Sequence, residues 1–142
     1  GNKVAGPDGF LRGGIDELVY DAASGEPVNL PVSVFETIPV DLNGDGCHML
    51  VKGIGEQSEA AVLDDQGNVV TELGGTVSMA SKFINLPGEQ ILVFHTDGTV
   101  RVWHNADAAD SADAVVRYTH PFYRTNQKLT ATGYNLVNLG GI

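Results

Sequence analysis

The residues with the clearest chemical potential are Asp41-Leu42-Asn43-Gly44-Asp45-Gly46, a glycine-punctuated turn between two apolar runs at 35–40 and 49–51. Side-chain oxygens at alternate positions of a tight turn converge on one point, and a hard cation such as Ca²⁺ takes oxygen ligands. Asp41, Asn43 and Asp45, with Cys47 continuing the alternation, are therefore the candidate metal positions, and Ca²⁺ is the candidate cofactor. An EF-hand does not fit, because it needs a helix on each side and a bidentate acid at the twelfth loop position, which here is Lys52. The competing reading is a purely structural turn, since Asn, Asp and Gly all tolerate positive φ.

The elements that must present this turn are short strands. Its flanks are rich in β-branched and apolar residues. Eighteen glycines in 142 residues accompany little helical periodicity, and 42% hydrophobic content supplies one packed core. Apolar pieces at 17–21 and 27–30 enclose a hairpin signal at 22–26, and strands are expected at 32–40, 48–54, 60–63, 69–73, 77–84, 90–95 and 99–103. Asp64-Asp65-Gln66-Gly67-Asn68 and Thr96-Asp97-Gly98 are turn signals of the hairpin kind. Residues 1–14 read as a Gly-rich loop and 135–139 as a final strand. Residues 105–115 are short and acidic, with Asp107, Asp110 and Ser111 as possible caps, and suggest a turn of helix or an outer loop.

A weak repeat emerges when 40–51 is laid over 84–93. Asp41-Leu42 then matches Asn85-Leu86, and Leu50-Val51 matches Leu92-Val93. Meandering strands repeating every 40 to 45 residues or so mark β-propeller blades. The expected fold is all-β, with antiparallel meander blades: a partial blade at 1–30, a blade with the calcium-type turn at 31–75, a further blade at 76–110 and a closing segment at 111–142. About three blades fit, whereas a ring closes with about four or more. The ring must then be completed by other chains, as a homo-oligomer, or by more of a longer chain, because open blade edges are pairing sites.

A formal charge of −10 argues against nucleic acid and anionic membrane surfaces as partners, since phosphate contacts need clustered Lys and Arg. The single cysteine, Cys47, allows no internal disulfide. No apolar run approaches the roughly 20 residues of a membrane span. Residues 1–6 lack the apolar stretch of a signal peptide, so any export signal is expected to have been removed or to lie upstream. Calcium chemistry leans toward a secreted or periplasmic setting.

The acidic turn is followed by Leu50-Val51-Lys52-Gly53, by Val62-Leu63-Asp64-Asp65-Gln66-Gly67-Asn68-Val69 and by Leu92-Val93-Phe94. Near the end come Tyr123-Arg124, Asn126-Gln127, Tyr134-Asn135 and Leu139-Gly140. Through these motifs residues 35–142 resemble the C-terminal part of the propeller of rhamnogalacturonan lyases and related secreted polysaccharide lyases. Two features depart from the family: Met49 stands where its calcium loop carries an acid, and most of the propeller is absent. The resemblance implies calcium-dependent β-elimination on an acidic polysaccharide. In that reaction a base removes the proton α to a uronate carboxylate, a metal or cation neutralises the carboxylate, and the glycosidic oxygen leaves.

The parts available for such chemistry are His95, His120, Tyr123 and Arg124, with His48, His104 and Lys128 further afield. Each has a packing alternative. His95 and His104 fall on neighbouring hairpin strands, where they could pair across the strands or simply sit at a core edge. His120-Pro121-Phe122-Tyr123 could be an aromatic plug under the last blade, and Arg124 a partner for an acid. Trp103 could stack on a sugar face or pack. The function expected from the resemblance is a polysaccharide lyase-like propeller portion; the alternative is a non-catalytic module for carbohydrate binding or self-assembly.

Overall fold

In a computed structural model of the chain, which describes residues 3–5, 11–13, 19–21, 23–32, 37–53 and 60–131, there are two compact units, Gly1–Phe35 and Glu36–Ile142. The architecture is mostly antiparallel β-sheet with few helices, as an all-β reading expects. Among the described residues no helix is long and apolar enough to cross a membrane. The expected strand at 135–139 lies outside the described residues.

In the first unit, β1 (Lys3–Ala5) pairs with β2 (Leu11–Gly13), and β3 (Val19–Tyr20) pairs with β4 (Pro27–Val28). The β3–β4 turn is built on Asp21, whose carboxylate accepts the N–H groups of Ala23 at 3.1 Å and Ser24 at 2.7 Å. This is the hairpin expected at 22–26, and its mechanism is the self-capping typical of Asp in turns.

In the second unit, β5 (Ile38–Val40), β6 (Met49–Lys52), β7 (Ala61–Leu63) and β8 (Val69–Glu72) form a four-stranded meander. Next, β9 (Thr76–Ser81), β10 (Gln90–Phe94) and β11 (Val100–Trp103) form a three-stranded one. Strand order follows chain order in both, and the β7–β8 and β10–β11 connections are tight turns. The Asp64 carboxylate accepts the N–H groups of Gln66 and Asn68 at 2.9 and 2.8 Å, and Asp97 accepts Thr99 N–H at 2.8 Å.

Register and the period-2 alternation of strands assign the faces. Ile38, Val51 and Val62 lie side by side on one face of the larger sheet, and Ile91 and Val93 on one face of the smaller. With Val40, Leu73 and Val77 they make a single buried cluster between the two sheets, against which Leu42, Met49, Ala80 and Trp103 pack. Val40, Val51, Val62, Ile91 and Val93 are each 0% exposed, so burial of this strip supplies the main apolar stabilisation of the unit.

The chain after β11 is more helical than its composition suggests. Two helices follow, α1 (Ala112–Thr119) and α2 (Pro121–Ala131). Ser111 caps α1 by accepting Ala114 N–H at 3.1 Å, and Pro121 occupies the first position of α2, where its missing N–H costs nothing. Asp113 sits in the first turn of α1 and Arg117 in the last, each matching the helix dipole. The apolar contribution comes from Ala114 and Tyr118, which are buried. It is small, and the acidic lead-in conceals it.

Candidate functional site

Asp41, the first residue after β5, is 0% exposed. Its Oδ1 accepts the N–H groups of Gly44 at 2.8 Å and Asp45 at 3.2 Å, and its Oδ2 accepts Gly46 N–H at 2.9 Å. The loop therefore wraps around its own first carboxylate. Gly44, at φ 73°, is required here twice over, because a Cβ would also lie 3.0 Å from Asp110 Cα. The remaining position on Oδ2 belongs to Arg117 of α1, whose Nη2 donates at 2.6 Å. Burial pushes the Asp41 carboxyl up, but the Arg117 hydrogen bond and charge and the Gly46 and Gly44 amides outweigh it and leave the pKa lowered.

A second buried acid completes the arrangement. Glu89, just before β10, accepts Asp41 N–H on Oε2 at 2.8 Å, while Glu89 N–H donates to the Asp41 carbonyl at 2.8 Å. Glu89 Oε1 accepts the Tyr123 hydroxyl at 2.6 Å, and that hydroxyl accepts Lys82 N–H at 2.8 Å. Burial and the Glu89 charge raise the Tyr123 pKa, so the phenol is held as a protonated donor. Tyr118 packs against Tyr123 with ring centroids 5.6 Å apart, and the Lys82 ammonium and Arg117 guanidinium lie 4.7 and 5.0 Å from the Tyr118 ring centre. Lys82 Nζ also pairs with Asp110 Oδ2 at 2.7 Å. This network joins the ends of both sheets to both helices.

The other candidate residues are spread over the unit. Asn43 Oδ1 accepts Asn105 Nδ2 at 2.9 Å. Asp45 is exposed and accepts Cys47 N–H at 2.8 Å, and the Cys47 thiol is free and exposed. Among the described residues no group of three or more His, Cys, Asp or Glu side chains is gathered so as to hold a metal ion. At Asp41 the positive charge is a guanidinium, and both carboxylate oxygens are taken by N–H donors. A Ca²⁺ cage needs six to eight oxygens turned toward one point; here the Asp41 oxygens turn toward the loop amides and Arg117, and Asn43 Nδ2 donates to Asp45 Oδ2 at 3.4 Å.

His95 and His104 do not face each other. Phe94 pairs with Val100 and Ile91 with Trp103, so the two histidines cap opposite ends of the hairpin, about 17 Å apart at roughly 3.4 Å per residue. His120 is exposed at the end of α1, its Nδ1 accepting Phe122 N–H at 3.2 Å. Arg124 is exposed and its Nε donates to the Tyr118 carbonyl at 3.4 Å. Among the described residues no hydrogen bond links the side chains of His95, His120, Tyr123 and Arg124 to one another.

Arg117, Glu89 and Tyr118 went unread in the sequence. The available signal was Arg117 itself, a lone base following an acidic segment and placed in the last turn of a helix.

One cavity of about 470 Å³ opens between the last strands of the two sheets. Val62, Leu73 and Ile91 form its floor, Val70 and Thr71 of β8 one wall, and Trp103 of β11 the other. Asn43, His104 and Asn105 contribute the polar rim. Trp103 Nε1 is buried and has no hydrogen-bond partner among the described residues.

Comparison of the chain with protein-family models, with curated proteins and with solved structures gives no match.

Proposed function

We propose that the Glu36–Ile142 unit is a non-catalytic stacking module. Its two meanders act as propeller-type blades whose outward faces are completed by sheets from further copies of the chain. The observation that carries this reading is the outward face of the smaller sheet. Leu92 pairs with Val102 and Phe94 with Val100, so all four share the side turned away from the core. Phe94 is 47%, Val100 52% and Val102 40% exposed. A sheet with one face on the core and one in water alternates apolar and polar residues; this one is apolar on both faces, which suits a sheet inside a stack.

The larger sheet supports the same reading. Pro39, Leu50, Leu63 and Val69 fall in register on its other face; Pro39 is exposed and Val69 51% exposed, while Leu63, at 6%, is already covered. The two apolar faces lie on opposite outsides of the pair, so contact between copies would be head-to-tail, and such contacts close into rings when the rotation permits. With two sheets per copy, roughly two to four copies would supply the blades of a ring.

The placement of the lyase candidates favours this alternative over elimination chemistry. A lyase needs a base and a cation together over an open groove, whereas Tyr123 is locked to Glu89, and His95 sits at the β10–β11 turn while His120 and Arg124 lie at the end of α1 and in α2. Light scattering on the full chain tests the proposal. The expected mass is that of two or more copies, falling to one copy in the double variant Phe94→Glu/Val100→Glu with an unchanged far-ultraviolet spectrum. A wild-type chain that stays a single copy at high concentration overturns stacking between copies.

A further inference from the structure

The two sheets of the second unit end differently. The larger has four strands and the smaller three, because after β11 the chain leaves for α1 instead of adding a fourth. Sheet edges are ordinarily blunted by a Pro, a bulge or a covering element. Pro39 does this in β5, the extra residue Val70 makes a bulge in β8, and β9 is joined at its end to α2 through Tyr123 and Gln127. β11 has none of these among the described residues, and Val100, Arg101 and Val102 are all exposed. His95 N–H donates to the Thr99 carbonyl at 2.9 Å, so 95 and 99 close the hairpin as a hydrogen-bonded pair. Such pairs alternate along an antiparallel ladder. The N–H and C=O of Arg101 therefore turn toward Val93, and those of Val100 and Val102 turn away from the sheet. Only an extended polypeptide matches that outer row group for group.

The side chains of an added strand would alternate as those of β11 do. Opposite Val100 and Val102 they extend the apolar outward face. Trp103 lies on the core side with Ile91, so a side chain opposite it points toward β8 and the cavity between the two sheets. Val70, Thr71 and Leu73 line that cavity and no Asp, Glu, Lys or Arg does, so an apolar residue fits there and an ionic one would lose its hydration. Arg101 is exposed and forms no ion pair among the described residues, so a carboxylate fits opposite it. A second copy is a poor source of such a strand. Of the edge strands β5, β8, β9 and β11 only β8 holds an acid, Glu72, and its bulge interrupts the ladder. We propose that the free edge of β11 takes up an extended segment of another protein as the fourth strand of the smaller sheet, with an apolar residue over the cavity and an acid on Arg101. This uses an edge and not the stacking faces, so either reading can fail alone.

The test uses the full chain, ¹⁵N-labelled, and the probe acetyl-Thr-Leu-Val-Glu-Val-Lys-amide. Run antiparallel to β11, it sets its Leu opposite Trp103 and its Glu opposite Arg101. At ten times its Kd the probe should slow hydrogen exchange of the Val100 and Val102 amides about tenfold. N-methylation of its two valines, whose N–H groups face β11, should weaken binding about tenfold or more, the worth of roughly two hydrogen bonds. N-methylation of its Leu and Glu, whose N–H groups face away, should weaken it far less. Lys in place of the probe's Glu should lower affinity for the wild type, and Arg101→Glu should recover it. The Val102 N–H is unused within the sheet, so Val102→Pro should lose the probe while keeping its far-ultraviolet spectrum. Val100 and Val102 amides indifferent to the probe, equal losses from the two methylation patterns, or undiminished binding by Val102→Pro would each overturn the proposal. Protection of these amides that grows with protein concentration in the absence of probe would assign the edge to a second copy and overturn it equally.

Discussion

Three aspartates open glycine-containing turns in the second unit, and they come to different ends. Asp64 and Asp97 accept the N–H groups of their own turns, at 2.8 to 2.9 Å, and remain in solvent contact with their work complete. Asp41 does the same for Gly44, Asp45 and Gly46, but it is fully buried and takes a guanidinium from 76 residues away. Both arrangements depress the carboxyl pKa, through Asn68 at Asp64 and Thr99 at Asp97, and through Arg117 and the loop amides against burial at Asp41. The local half of an acidic turn is the same in each case. Burial decides whether it stays a turn or becomes the anchor for a distant element.

If that distinction is right, the largest effect should come from removing the distant half. Arg117→Met leaves Asp41 as a buried charge without its counter-ion, and such a break costs about 3–5 kcal/mol. Urea unfolding should show this loss, while Asp64→Ala, which removes only a local turn cap, should show much less. Adding Asp41→Asn to Arg117→Met should return part of the loss, because the unpaired charge is gone. Equal effects at residues 117 and 64 would erase the difference between the two kinds of turn.

Tyr123→Phe is expected to come next. It deletes the hydroxyl that bonds Glu89 at 2.6 Å and accepts Lys82 N–H at 2.8 Å, and hydrogen bonds to charged groups are worth about 1.5–3 kcal/mol. The loss should appear in the same urea experiment. A catalytic Tyr would show the reverse pattern, with stability intact.

The pH dependence is smaller and shared among the turns. Asp41, Asp64 and Asp97 have folded pKa values below their ordinary ones. Their contribution is therefore fully present above about pH 4 and is lost as pH falls through the folded values. Thermal melts should fall from about pH 4 downward. In Arg117→Met, Asp41 loses the guanidinium that holds its pKa down while burial still pushes it up, so the acid-side fall should shrink. A fall as steep as the wild type's would assign the acid sensitivity to the exposed turns alone.

These contrasts also explain what could be read from sequence. The strands of the second unit were legible because alternation and self-capping Asp turns are local, and so was the β3–β4 hairpin around Asp21. Helix α2 was missed because it has no buried residue of its own and is held through Tyr123 and Gln127 to Ser81 and Lys82 on and beside β9. The hub was illegible for the same reason: Glu89 and Arg117 reach Asp41 across 48 and 76 residues. The cavity joins Val70 and Trp103 from different sheets, and no spacing rule connects those positions.

The smallest expected effect is at the very loop where a cation was expected. Site binding by a ligand present at 1,000 times its Kd stabilises a fold by about 4 kcal/mol, so millimolar Ca²⁺ at a micromolar site would raise the melting temperature by several degrees. In this geometry a guanidinium already balances the Asp41 charge, and the loop amides fill the carboxylate's other acceptor positions. A Ca²⁺ ion entering there would have to displace Arg117 and leave its buried charge unpaired, a cost that sets binding against folding. Melts in chelator and in millimolar Ca²⁺ should therefore coincide. The informative partner is Arg117→Met: with the guanidinium gone, Asp41 lacks a cation, and any Ca²⁺-dependent rise should appear in this variant and not in the wild type. A rise in the wild type of several degrees would return the loop to metal binding and remove Arg117 from its place in the comparison.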